Sequence, residues 1–317
     1  ERLQQLRRVE RTKYQCPDYI GDSYRRFNNI LDDKVASDMR FRIEYILNSR
    51  EQTLRKLFNW VDKFRLDPPR YITDEGGQRY KLDIDEAVVS TAAFIFDRYL
   101  SEFVGEGGVP PFRLDLIGDA SLFIAAKTEM SWNEVCCIEK VMGRYSRRVY
   151  AMNVDLKILK ELNWDVVYPS PISIIRDLLS LLHCPSGSQQ FEGSLEIHKT
   201  DVLKEAAYMT KLATIAYGFT TNFSPSTIAL ATLSVVFEKN RCLAKSIALC
   251  CNLIDPVFHL ANLFKTYGMD LSFDNDDVKE CDEKMLQLLQ NNSKHGNDEK
   301  ERACPSPNNI TKLQCDE

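Results

Sequence analysis

Ten cysteines and four histidines offer the most scope for metal or nucleophilic chemistry in this chain of 317 residues. The histidines (His183, His198, His259 and His295) are scattered, so their spacing describes no metal cluster. The adjacent pairs Cys136-Cys137 and Cys250-Cys251 lack the two-residue gap of a metal or redox motif. No disulfide framework is visible, which fits a reducing compartment. No Ser-His-Asp neighbourhood, Gly-rich phosphate loop or paired-carboxylate cleft stands out. Neither enzymatic activity nor a cofactor or metal is therefore expected. The residue that demands explanation is a lysine. Residues 112–127 read FRLDLIGDASLFIAAK, apolar or small almost throughout, and the stretch stops on Lys127. A lysine there can complement a helix C-terminus and snorkel off the core, or it can hold a partner.

The elements that would carry Lys127 read as helices. In 50–64, Leu54, Leu57, Phe58, Val61 and Phe64 share one face at i, i+3, i+4, i+7 spacing. Segment 84–103 repeats the pattern with Ala87, Val88, Ala92, Ile95, Phe96 and Leu100. Segments 131–143 and 146–162 are two more, closed by Trp164. Tyr168-Pro169-Ser170-Pro171 marks a break and a restart, with Ser170 as N-cap and Pro171 in the first turn. No strand-like alternation is evident. Residues 65–83 read as a Pro/Gly-rich loop, residues 185–199 as a polar connection, and the tail from 291 as disordered for want of large apolar residues.

An internal repeat runs through this pattern. Laid without a gap over 223–238 (FSPSTIALATLSVVFE), the stretch 112–127 pairs Phe112 with Phe223 and Ile117 with Ile228. Small residues coincide as well: Gly118 with Ala229, Ala120 with Ala231, Ser121 with Thr232. Two helices that are apolar or small nearly all round predict two all-α lobes, each wrapped on its own central helix. The expected divisions are an N-terminal arm (1–36), a first lobe (37–169), a second lobe (170–290) and the tail (291–317). The copies differ at their ends, where Lys127 faces Glu238.

A net charge of −5 argues against nucleic acid as the main partner, leaving Arg7, Arg8, Arg11 and Lys13 as a local basic arm. No run of eighteen apolar residues occurs and the N-terminus lacks the apolar core of a signal peptide, so no membrane partner is expected.

In several stretches the chain resembles the cyclins. FDRYLS (96–101) looks like the end of the second helix of a cyclin box, and LIGDASLFIAAKTE (116–129) is similar to that box's central helix. LKILKELNWDVVYPSP (156–171) looks like the fifth helix and the exit into a second lobe; FSPSTIALATL (223–233) resembles the matching helix there. The motifs follow in order over roughly residues 45–270. The resemblance implies an all-α fold of two cyclin-box-like lobes, each about five helices around a central one. It also implies a non-catalytic regulatory subunit that activates a cyclin-dependent kinase, in nucleus and cytoplasm. The other reading is a cyclin-fold transcription protein resembling basal transcription factor IIB; the acidic balance and the lack of an N-terminal zinc ribbon weigh against it.

The resemblance also implies site residues. The family's kinase-gripping lysine falls on Lys127 and its acid on Asp155, where glutamate is usual; Glu129 keeps a further acid. Asp155 has a plainer role too, since a helix-start acid is favoured by the dipole. The substrate-docking patch at the start of the box fares worse. Matching the family's arginine and phenylalanine to Arg50 and Phe64 puts Ser49, Gln52, Thr53 and Lys56 on the patch, all polar. Matching its tryptophan to Trp60 gives Thr53, Leu57 and Trp60 instead, and Leu57 and Trp60 also read as core residues. At the C-terminus, LQCDE (313–317) has the Leu-x-Cys-x-Glu form by which D-type cyclins engage retinoblastoma-type pocket proteins. That implies a pocket-protein contact through Leu313, Cys315 and Glu317 and a G1-like role; the plain alternative is a solvated tail. Ser306, before Pro307, is a candidate proline-directed phosphosite.

Overall fold

Helical spacing of large apolar residues is enough to seat the first long helix. Leu54, Leu57, Phe58 and Val61 lie on the buried face of α1 (Asp33–Leu66). The computed structural model describes Asp18 and residues 33–66, 71–73, 79–81, 84–104, 110–131, 134–135, 138, 152–185, 189–266 and 276–302. The basic arm, the Cys136-Cys137 pair, Ser306, Leu313, Cys315 and Glu317 lie outside the described residues.

After α1 comes a two-stranded antiparallel ribbon, β1 (Tyr71–Thr73) and β2 (Arg79–Lys81), with Ile72 opposite Tyr80. This corrects the expectation of a strandless loop over 65–83. Three-residue strands are too short to show alternation, so periodicity could not reveal them. The ribbon leaves the all-α architecture unchanged.

Then follow α2 (Glu86–Val104), α3 (Leu114–Glu129) and α4 (Val154–Glu161). The small residues of α3 let it sit centrally: Ala120, Ala125 and Ala126 are buried, and α1, α2 and α4 all pack against it. The closest approach is at Gly118. A Cβ there would stand 2.4 Å from Thr53 Cγ2 of α1, a distance only glycine avoids. The whole set Ala87, Val88, Ala92, Ile95, Phe96 and Leu100 is buried along α2.

The restart at Pro171 is as expected. Ser170 caps α5 (Pro171–Ser180) by accepting from the Ser173 N–H at 3.3 Å. The next helix, α6 (Gln189–Ile215), begins inside the stretch read as a polar connection. Its early turns are polar because one narrow stripe, Leu195 and Val202, is enough to seat them. A short α7 (Phe219–Asn222) leads to α8 (Pro225–Lys239), whose cap is Ser224, accepting from Thr227 N–H. Around α8 pack α5, α6, α9 (Arg241–Cys251), α10 (Pro256–Thr266) and α11 (Asp276–Arg302). Helix α11 runs to Arg302, past the point at which disorder was expected. A helix already nucleated adds each further residue at little cost, so it can extend through a polar sequence.

Two hydrophobic cores result. One draws mainly on residues from Ile43 to Tyr168, joined by Ile215 of α6, with α3 at its centre. The other draws mainly on Ile172 to Met285, with α8 at its centre. The repeat seen in the sequence is thus the repeat of the fold.

The seam between the lobes is polar and specific. Arg50, 1% exposed, donates from Nε and Nη2 to the two carboxylate oxygens of Asp97 at 2.6 and 2.7 Å. Its Nη1 and Nη2 also donate to the carbonyls of Ile215 (2.6 Å) and Thr214 (3.1 Å). Those carbonyls end α6, where no further turn of that helix supplies N–H donors to them. Arg50 therefore neutralises a buried acid of the first lobe and caps a helix of the second. Lys211–Asp62 and Arg176–Asp85 (2.6 Å) are further ion pairs across the seam.

Candidate functional site

Lys127 is in the last turn of α3, and α4 packs against that helix. Two features set where its side chain goes. Phe123, one turn earlier, lies beneath it, with Nζ 4.1 Å from the ring centroid. Asp155, in the first turn of α4, holds Oδ2 at 3.6 Å from Nζ. The helix end does not need the lysine as a cap, since the Ala126 carbonyl accepts from the Met130 N–H and the Ala125 carbonyl from the Thr128 hydroxyl.

Asp155 is placed by a sharp local turn. Asn153, in the left-handed region at φ 50°, starts α4. Val154 and Ile158 then fall on the buried face, which leaves Asp155 and Leu156 at the outer edge. Asp155 Oδ1 accepts from the N–H of Leu156 at 2.9 Å, so the carboxylate is oriented from its own helix as well as by the lysine. Glu129 accepts from the Thr91 hydroxyl of α2 at 3.2 Å.

The structure thus brings Lys127 and Asp155 into one ion pair on two packed helices, with Glu129 two residues beyond. The lysine side chain is 38% exposed and the aspartate 14%. Such a pair contributes little to stability, about 0.2–1 kcal/mol, so an incoming partner can reorganise it cheaply. An ammonium carries three donors and a carboxylate about four acceptor sites, so each can serve more than one partner. Together they can meet a backbone carbonyl and a backbone N–H of another chain. Sequence reasoning missed the apolar rim: Met152 and Leu156, on either side of Asp155, are exposed at 48% and 38%. The i, i+4 spacing of these two residues at a helix start was the available signal.

The polar patch positions are also now located. Gln52 and Lys56 are exposed, Ser49 is half-buried and Thr53 is buried against Gly118. Leu57 and Trp60 pack into the first core. Lys56 Nζ lies 3.9 Å from Asp119 of α3, whose carboxyl burial pushes up to about 6, against the pull of the lysine. Among the described residues, no three His, Cys, Asp or Glu side chains converge as metal ligands. Nor, among them, is any single helix long and apolar enough to cross a membrane.

Comparison with known proteins adds family information to this geometry. Residues 77–167, which hold the Lys127–Asp155 pair, match the family described as cyclin, N-terminal domain. A protein of Oryza sativa subsp. japonica named as a cyclin-F3-1 is 26% identical over 192 residues, covering 58% of this chain. The chain spans 46% of that relative's length. A viral cyclin from herpesvirus saimiri superposes with a TM-score of 0.43 at 16% identity, over 74% of this chain and 86% of the viral one.

Proposed function

We propose that the chain is a cyclin-family protein, a non-catalytic regulatory subunit which binds and activates a cyclin-dependent kinase; the match of residues 77–167 to the cyclin N-terminal domain supports this reading. The observation that carries this reading is the Lys127–Asp155 pair, rimmed by exposed Met152 and Leu156. A kinase is active only when its β3 lysine meets the αC glutamate, so a surface that holds αC inward acts as the switch. Donor and acceptor on two rigid helices suit that task better than loop residues would.

Charge reversal at Lys127 is the decisive experiment, because the fold already tolerates an acid at the equivalent position, Glu238 of α8. Purified Lys127→Glu protein is expected to keep its helical circular dichroism and to lose kinase binding and activation. Full activation by a folded Lys127→Glu variant would sink the docking assignment.

A G1-like role is the finer part of the proposal and rests on LQCDE at Leu313, Cys315 and Glu317. An extended segment free of the fold can insert alternate side chains into a partner's groove. The partner would be a retinoblastoma-type pocket protein, in the nucleus as well as the cytoplasm. A pull-down with the intact chain and with a version ending at Lys312 tests it. Capture by the intact chain alone is expected, and equal capture by both removes the motif from the proposal.

A further inference from the structure

The second lobe repeats the first lobe's rim without its ion pair. Around the start of α4, Val154 and Ile158 are buried while Met152, just before the helix, and Leu156 face outward; around the start of α10, Pro256 and Leu260 are buried while Ile254, just before the helix, and Phe258 face outward. The exposure in the second lobe is larger. Ile254 is fully exposed, Phe258 is 65% exposed, and Leu249 at the end of α9 is 78% exposed. These three stand at one corner, where the chain bends by 66° between Arg241–Cys251 and Pro256–Leu263. The turn is firmly built: Asn252 is left-handed at φ 52°, Leu253 N–H reaches the Ala248 carbonyl at 2.8 Å, and Asp255 Oδ1 caps α10 through the Val257 N–H. Isolated exposed apolar residues need no explanation, but three large ones held on one rigid corner do.

The charges around the corner indicate what would cover it. Arg241 and Lys245 precede Leu249 on the exposed stripe of α9 at i, i+4, i+8, and Lys265 follows Phe258 on the exposed stripe of α10 at i+7. None of the three cations forms an ion pair among the described residues, although the chain carries a net charge of −5. A basic border around an apolar centre fits an acidic segment with large apolar side chains. A second copy related by a twofold axis would instead set the cations against their own kind.

We propose that the α9–α10 corner of the second lobe is a docking surface for an acidic, apolar peptide segment of a partner protein, centred on Leu249, Ile254 and Phe258. It operates independently of Lys127. The test is to pan the full chain against a displayed library of short random peptides and to synthesise the best binder. Retained peptides are expected to combine Asp or Glu with Leu, Phe or Trp. Binding should weaken by at least about tenfold in Ile254→Asp/Phe258→Asp and in Arg241→Glu/Lys245→Glu, and stay unchanged in Lys127→Glu. The two double variants alter different surface residues, so if one loses helicity the other decides. Recovery of no such peptide, or equal binding by the folded variants, overturns the proposal. So does an Ile254-dependent dimer in sedimentation, or Phe258-dependent capture on phosphatidylserine vesicles with no peptide retained.

Discussion

Asp155 shows how one side chain can serve its own helix and a neighbour at once. Oδ1 accepts the Leu156 N–H while Oδ2 faces Lys127 at 3.6 Å. Of the pair, the lysine is the more exposed and has no cap to satisfy, so its reversal should cost function alone. Asp155→Lys removes the acceptor and also places a cation in the first turn of α4, which the dipole disfavours by about 0.3–1 kcal/mol. Partial loss of kinase activation is expected for it, measured as phosphate transfer against kinase concentration; activity equal to wild type would leave Lys127 as the sole grip. Motif matching singled out both positions in the sequence. Their convergence was not legible there, because it depends on the left-handed turn at Asn153, and asparagine at that point has no unique signature.

At the scale of elements, what could be read in advance was whatever rests on volume. The two central helices were visible because small residues repeated in register, and α3 and α8 do sit at the centres of the two cores. The start of α6 at Gln189 was not visible, because a helix held by the narrow stripe of Leu195 and Val202 looks like a polar linker. Gly118 is the sharpest test of the volume argument. Gly118→Ala would drive a methyl against Thr53 Cγ2, so that either the Thr53 side chain or the two helices must shift. A loss of about 1–3 kcal/mol in urea denaturation is expected. Adding Thr53→Ser removes the opposing methyl and should recover much of it. Additive losses in the double variant would mean that the clash lies elsewhere.

One buried acid and one half-buried acid, Asp119 and Asp282, tie the stability of the whole molecule to pH. Burial pushes the Asp119 and Asp282 carboxyls up to about 6; Asp282 is held back by its Ser234 hydrogen bond and raised further by Glu238. Both are neutral in the fold at a pH where the unfolded chain has already ionised them. Their contribution is therefore complete below about pH 4 and fades as pH rises through about 6. Between pH 5 and 7.5 each should cost about 1 kcal/mol. Thermal melts of Asp119→Asn/Asp282→Asn should show a flatter dependence on pH and a higher Tm than wild type at pH 7.5. An unchanged slope would mean that neither group is buried enough to matter.

Arg50 has a consequence for the history of the two lobes. Four hydrogen bonds from its guanidinium divide evenly, two to a carboxylate of the first lobe and two to the last carbonyls of a helix in the second. If the lobes descend from one duplicated unit, this side chain has since made them inseparable. A first lobe expressed alone keeps the arginine with half its partners; a second lobe expressed alone keeps two bare carbonyls. Arg50→Met in the intact chain should cost about 3–5 kcal/mol, because Asp97 is left charged and buried, and Arg50→Met/Asp97→Leu should restore part of it. Exchange of whole lobes with a relative is then constrained less by surface contacts than by this single guanidinium, which must find both an acid at home and a helix end across the border.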